Sequence, residues 1–208
     1  MELNMKEYTE QEKFWKGDFG DKYVDRMHGD KFIASNLSMF SSVLKNITNV
    51  DSIVEFGSNI GLNLRALRLL LPDVDLCGVE INKKAADILR KWGGAEVIES
   101  SIFDVKLNQK SDLSLIKGVM IHLNPEKIPM VYKTLYDSSN KYICIAEYYN
   151  PEPIELDYRG NSERLFKRDF AGEIMDMYPD LKLLDYGVTY KRDTLFNHDD
   201  LNWYLLEK

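Results

Sequence analysis

The residues best suited to chemistry lie between Glu55 and Asp104. Glu55, Gly57 and Gly61 fall in IVEFGSNIG, an apolar run that opens into a loop with a glycine at each end. Glycine allows a tight turn and lets a ligand approach the main chain. Gly57, Ser58, Asn59 and Gly61 therefore read as a cofactor cradle. A second acid, Glu80, closes the run VDLCGVE. A carboxylate at that place can accept hydrogen bonds from both hydroxyls of a ribose. Asp104 follows a third apolar run and can accept from an adenine amino group, with Ile81, Ile102 and Phe103 placed to sandwich the ring. A dinucleotide fingerprint needs glycine at three places in Gly-x-Gly-x-x-Gly. Here Asn59 and Leu62 occupy the second and third, so that reading fails.

These residues need a scaffold that brings loop tips together. SIVEFG, VDLCGVE, AEVIES, DLSLIKGVM and KYICIAEYY read as five strands, short, apolar and β-branched. Helical patterns separate them at Leu62 to Leu71, Lys83 to Trp92 and Pro125 to Tyr136. Pro72 follows the first of these helices, and Gly93 closes the second. This alternation predicts an α/β fold, a parallel sheet with helices on both faces, whose ligands sit at the strand ends. LKLLDYGVTYKR and LNWYLLEK read as a late antiparallel hairpin at one edge. Glu152 to Gly160 reads as an acidic connection and Ser162 to Met177 as a helix. The first fifty residues read as helices rich in aromatics, interrupted at Gly17 and Gly20, with a longer one from Ile33 to Val43.

Glu-x-Gly-x-x-x-Gly, as Glu55, Gly57 and Gly61, resembles the first motif of class I S-adenosylmethionine (SAM)-dependent methyltransferases. The stretch GSNIGLNLRALRLLLPDVDLCGVEIN further resembles the methylases of pseudaminic acid biosynthesis clusters. So do FWKGDFGDKYVDR, KGVMIHLNPEKIPMVYKTLYDSSNKYICIAEYYNP, YRGNSERLFKRDFAGEIMD and DDLNWYLLEK, which together span nearly the whole chain. The resemblance implies a Rossmann-like class I methyltransferase fold with a mostly parallel seven-stranded sheet. It implies one domain over residues 1–208: a helical cap to residue 50, a SAM-binding core over 51–150, and a substrate-side helix and strand pair over 151–208. It also implies methyl transfer to oxygen or nitrogen of a sugar or nonulosonic acid bound for a bacterial surface glycan. In that class the acid at Glu55 contacts the methionine part of the cofactor, directly or through water, and Lys117 and Gly118 are further cofactor-binding candidates.

Displacement at a methyl carbon needs the acceptor held in line, water excluded and, for an oxygen acceptor, a base. His122 lies where this fold would place the methyl group, and packing against SAM competes with a role as base. Glu147 and Tyr149 end the fifth strand on the same rim. Tyr158, Arg159, Lys167 and Arg168 form a basic, aromatic group able to grip a carboxylate or phosphate. Trp15, Phe19 and Tyr23 either pack the first helices or form a lid whose ring faces meet the sulfonium. Tyr23 and Arg26 are candidates for the cofactor's carboxylate end. His28 and His198 carry no assigned role.

The 208 residues carry a net charge of −7, which disfavours bulk binding of nucleic acid or anionic membrane. Cys77 and Cys144 are too few for a zinc cage and suggest no disulfide framework. The polar start and the lack of a long apolar run point to the cytoplasm. Two other functions compete: a non-catalytic module that keeps the cofactor fold, and, disfavoured by Asn59 and Leu62, an NAD-dependent sugar oxidoreductase.

Overall fold

The computed structural model describes residues 7–27 and 29–208; residues 1–6 and His28 lie outside the described residues. Three helices open the chain: α1 (Glu10–Lys16), α2 (Asp18–Val24) and α3 (Asp30–Leu44). Thr9 starts α1 with a capping box, its hydroxyl accepting from the Glu12 N–H while the Glu12 carboxylate accepts from the Thr9 N–H. The sheet then begins with β1 (Ser52–Phe56), α4 (Leu62–Leu70), β2 (Asp75–Glu80), α5 (Lys83–Trp92) and β3 (Glu96–Glu99). It continues with β4 (Ser111–Lys117), α6 (Ile128–Ser138) and β5 (Ser139–Glu147). After β6 (Ile154–Tyr158), β7 (Asn161–Lys167) and α7 (Phe170–Met177), the chain ends in β8 (Lys182–Val188) and β9 (Asn202–Glu207).

Seven strands form one sheet in the order β3-β2-β1-β4-β5-β9-β8. The first five are mutually parallel, and β9 runs antiparallel between β5 and β8. Strand alternation sorts the core into two layers. Ile53, Leu113 and Leu115 face α3 and α4, where Met39, Phe40, Leu64 and Leu67 meet them. Val54, Phe56, Ile116 and Ile143 face α6 and α7, through Val131, Leu135, Phe170 and Ile174. Strand order reverses between β1 and β4, so their carboxyl ends splay and leave the crevice where such sheets bind ligands. Cys77 and Cys144 are both free thiols, and burial pushes each up to about 12.

Three local expectations are corrected. The segment read as an acidic connection and the start of a helix is a separate two-stranded antiparallel sheet, β6 with β7. Arg159 and Gly160 both take positive φ (51° and 80°), and Asn161 Nδ2 donates to the Tyr158 and Arg159 carbonyls. The Arg-Gly pair was the turn signal; the charged residues of β7 masked it because they also suit helices. The helix there begins only at Phe170, capped by the Asp169 carboxylate. The residues from Pro125 make a 3₁₀ turn to Lys127 before α6 begins.

Gly17 separates α1 from α2 as expected, but Gly20 lies inside α2. A Cβ at Gly20 would stand 1.8 Å from the Trp15 carbonyl oxygen and 2.9 Å from Asn82 Nδ2. Glycine is there to let α2 fold back against the end of α1. Gly20→Ala should therefore force the two helices apart and cost about 1–3 kcal/mol. Thermal unfolding measures this as a fall of several degrees, and an unchanged midpoint would contradict the close packing.

Candidate functional site

The loop after β1 is shaped by backbone bonds to the neighbouring strand β2. The N–H groups of Gly57 and Ser58 donate to the Val79 carbonyl at 2.8 and 3.1 Å. Gly57, Asn59 and Gly61 all take positive φ, at 75°, 47° and 81°. A Cβ at Gly57 would lie 2.4 Å from a Val119 methyl, so close approach as well as backbone angle excludes a side chain there.

Glu80 ties this loop to the next one. One carboxylate oxygen accepts from the Asn59 N–H and the other from the Asn82 N–H, each at 2.7 Å. Asn82 caps α5 with its Oδ1, and its Nδ2 donates to the Trp15 carbonyl at 3.2 Å and to Asp21 at 2.8 Å. One buried acid thus sets two loops and, through Asn82, the position of α1 and α2.

Between these loops lies a cavity of about 430 Å³. Trp15, Tyr23, Gly57, Ser58, Asn59, Glu80, Ile81, Ile102, Lys117, Gly118, His122 and Tyr158, all candidates from the sequence, line it. Glu55 stands behind the wall, fully buried, and accepts from Nδ2 of Asn63, which does line the cavity. Gly61 packs against Leu89.

The other expected residues are placed outside the cavity lining. Phe19 forms a second layer, stacked on Phe14 at 4.0 Å and edge-on to Trp15. Arg26 lies over the Phe19 and Tyr23 rings, and Phe103 packs against the core beneath Lys127. Asp104 is exposed on the turn after β3, where its N–H donates to the Ser101 carbonyl. Glu147 is buried, and one of its oxygens accepts from the Val119 and Met120 N–H groups at 2.8 Å each. It holds the 3₁₀ turn Met120–His122 in place. Tyr149 is exposed. Arg159 lies on the hairpin tip over Tyr158, Lys167 over the Tyr148 ring, and Arg168 donates to Glu173 at 2.6 Å.

His122 sits between the rings of Trp15 and Tyr158, with centroids 4.7 and 4.6 Å away. Its Nδ1 is 2.6 Å from the Arg164 carbonyl, which fixes Nδ1 as the protonated nitrogen. Burial pushes the imidazole down to about 4, so it is neutral near pH 7. Burial raises Glu55 and Glu80 above the ordinary carboxylate range and lowers Lys117, whose neighbouring charges are Glu55, Asp199 and Glu147.

Several lining residues escaped the sequence reading: Glu12, Asn63, Asn82, His198 and Asp199. Asn82 carried a legible signal, an N-cap residue directly before a helical pattern. His198 and Asp199 belong to the β8–β9 connection, which only tertiary folding brings to the crevice.

No family model matches the chain, and no curated protein matches it. Solved structures do. The plantazolicin methyltransferase BpumL, in complex with S-adenosylhomocysteine (SAH), is 15% identical, covers 95% of this chain and 93% of its own, and superposes with a TM-score of 0.64. Magnesium protoporphyrin IX methyltransferase from Synechocystis PCC 6803, with bound SAM, is 10% identical over 98% of this chain and all of its own, with a TM-score of 0.66. A SAM-dependent methyltransferase from Clostridium acetobutylicum is 11% identical over 91% of this chain and 99% of its own, with a TM-score of 0.62. The chain has the Rossmann-like class I methyltransferase fold. Among the described residues no helix is long and apolar enough to cross a membrane.

Burial raises Glu147 from 4.5 to about 7. The folded state therefore favours its protonated form, and the wild type should lose up to about 3 kcal/mol as pH rises through that interval. Denaturant unfolding across the interval should show this slope reduced in Glu147→Gln. An equal slope in both proteins would contradict it.

Proposed function

We propose that the chain transfers a methyl group from SAM to a small polar acceptor, a sugar or sugar acid of the nonulosonic type bound for a bacterial surface glycan. The observation that carries the cofactor reading is a set of buried oxygens with no donor: Glu55 Oε2, Asn59 Oδ1 and Asn63 Oδ1. Unpaired buried acceptors are costly. Asn59 and Asn63 line the cavity, where an α-ammonium group brings N–H donors to their oxygens, and Glu55 stands behind them, bonded to Asn63. The remaining wall suits the rest of the cofactor. Each Glu80 oxygen keeps a further lone pair for a ribose hydroxyl. Ile81 and Ile102 offer apolar faces for adenine. The rings of Trp15 and Tyr23 favour a cation such as a sulfonium.

Bound SAM supplies the activated methyl group; the protein supplies position and dryness. The aromatic layer of Trp15, Tyr158 and His122 keeps water from one side of the cavity. His122, with Nδ1–H committed to Arg164, packs against the site as a neutral ring. The acceptor class rests on the resemblance of five stretches to the pseudaminic-type methylases, and Tyr158 and Arg159 on the hairpin tip support it as groups that can meet a sugar acid.

Calorimetric titration with SAH should give about one site per chain. Absence of binding in folded, cofactor-free protein would overturn the proposal. Glu80→Ala should weaken SAH by about tenfold or more, since a charged hydrogen-bonding group is lost. Gly57→Val should abolish binding, and unchanged affinity in either variant would contradict the assigned cradle. With binding in hand, labelled methyl transfer from SAM to N-acetylneuraminic and pseudaminic acids and their nucleotide conjugates tests the acceptor class.

A further inference from the structure

Among the described residues three lysines line the cavity: Lys31, Lys117 and Lys191. Lys31 and Lys191 are exposed, and Lys191 is paired with Asp200 at 3.1 Å. Lys117 is half-buried at the end of β4, and among the described residues its ammonium has neither a hydrogen bond nor an ion pair. Arg26, the cation that the sequence offered for the cofactor's carboxylate end, lies over the Phe19 and Tyr23 rings and does not line the cavity.

Strand register fixes where Lys117 stands. Glu55 pairs with Leu115 and Phe56 with Ile116, while Lys117 pairs with Ala146 of β5. One step further along β1 brings Gly57, the first residue of the loop, level with Lys117. Leu115 and Ala146 belong to the layer under α3 and α4, so alternation sets Glu55 and Lys117 on that same face. The residues on either side of Lys117, Gly57 and Ala146, carry almost no side chain. That leaves room for the lysine stem to rise beside the loop and reach the cavity.

Glu55 and Lys117 share a face, yet no ion pair joins them. Glu55 Oε1 accepts from Asn63, and Oε2 has no donor. A carboxylate and an ammonium that served only to neutralise each other would be in contact. Held apart, they suit a ligand that brings both signs. The orphaned oxygens of Asn59 and Asn63 in the cavity wall await a positive group, and the N–H donors of Lys117 a negative one. An α-amino acid carries the two on one carbon.

We infer that Lys117 receives the α-carboxylate of the cofactor's amino-acid tail, so that this wall reads the tail as a zwitterion. The inference rests on the cofactor reading above. Burial lowers Lys117, and the same shortage of water strengthens its bond to a carboxylate.

Calorimetry with SAH and with decarboxylated SAH, which keeps the thioether and the amine, should be run on wild type, Lys117→Met and Lys117→Arg. Wild type should bind SAH about tenfold or more tighter than the decarboxylated ligand, which lacks one charge-assisted hydrogen bond. In Lys117→Met the preference should fall to within about twofold, because SAH weakens and the decarboxylated ligand does not. Lys117→Arg should restore part of it. A preference kept in Lys117→Met, or an equal loss of both ligands, would overturn the assignment and leave the cofactor reading intact. So would a wild type that does not distinguish the two ligands, a result that needs no variant to fold. If neither ligand binds wild type, the cofactor reading fails and takes this one with it.

Discussion

The site depends on one buried carboxylate doing the work of several backbone contacts. Glu80 ends β2 and, instead of reaching solvent, accepts N–H groups from the loops after β1 and β2. Those N–H groups would otherwise be left unpaired at the open end of the sheet. Asn82, fixed by one of these bonds, extends the constraint to the first two helices. The approach of α1 and α2 is thus dictated from the sheet upward. Gly20 shows how tight the fit is, since a single carbon there overlaps the main chain.

The same region holds groups that burial leaves poorly satisfied. Glu55 and Glu147 each keep one oxygen without a donor, and desolvation raises both acids. Such arrangements cost folding free energy, and they recur where a ligand later supplies the missing partner. The two differ in what they face. Glu55 is connected to the cavity by Asn63, whereas Glu147 is spent on the turn that carries His122. A ligand that completes the Glu55 side would stabilise the fold by binding only the native state.

Most of the sheet was legible because each parallel strand is a short apolar run between helices of regular period. The glycine loop and Glu80 were legible because their chemistry is local, a turn and a strand end. The hairpin β6–β7 was not, since Glu163, Arg164, Lys167 and Arg168 suit helix and exposed strand alike, and only the Arg159–Gly160 turn marked it. For Glu147 the sequence left a chemical and a structural role open, because its bonds to Val119 and Met120 depend on how two strands align. The β8–β9 connection gave no local sign of its place, because nothing in its own residues says that Ser35 and Asn36 of α3 will hold it over the crevice. Local chemistry is written locally; the wall of a cavity is written across the chain.

The hairpin β6–β7 shares no ladder with the seven-stranded sheet. It reaches the rest of the protein through side chains and two carbonyls: Arg164 toward His122, Glu163 toward Gln11, and Tyr158 against the aromatic layer. The hairpin that closes one side of the cavity therefore shares no backbone pairing with the sheet and is joined to it by packing, with Leu165 in the core. A lineage can rewrite the hairpin's tip without touching a single hydrogen bond of the sheet, so this architecture lets the shape of the entrance drift quickly while the floor beneath it stays fixed.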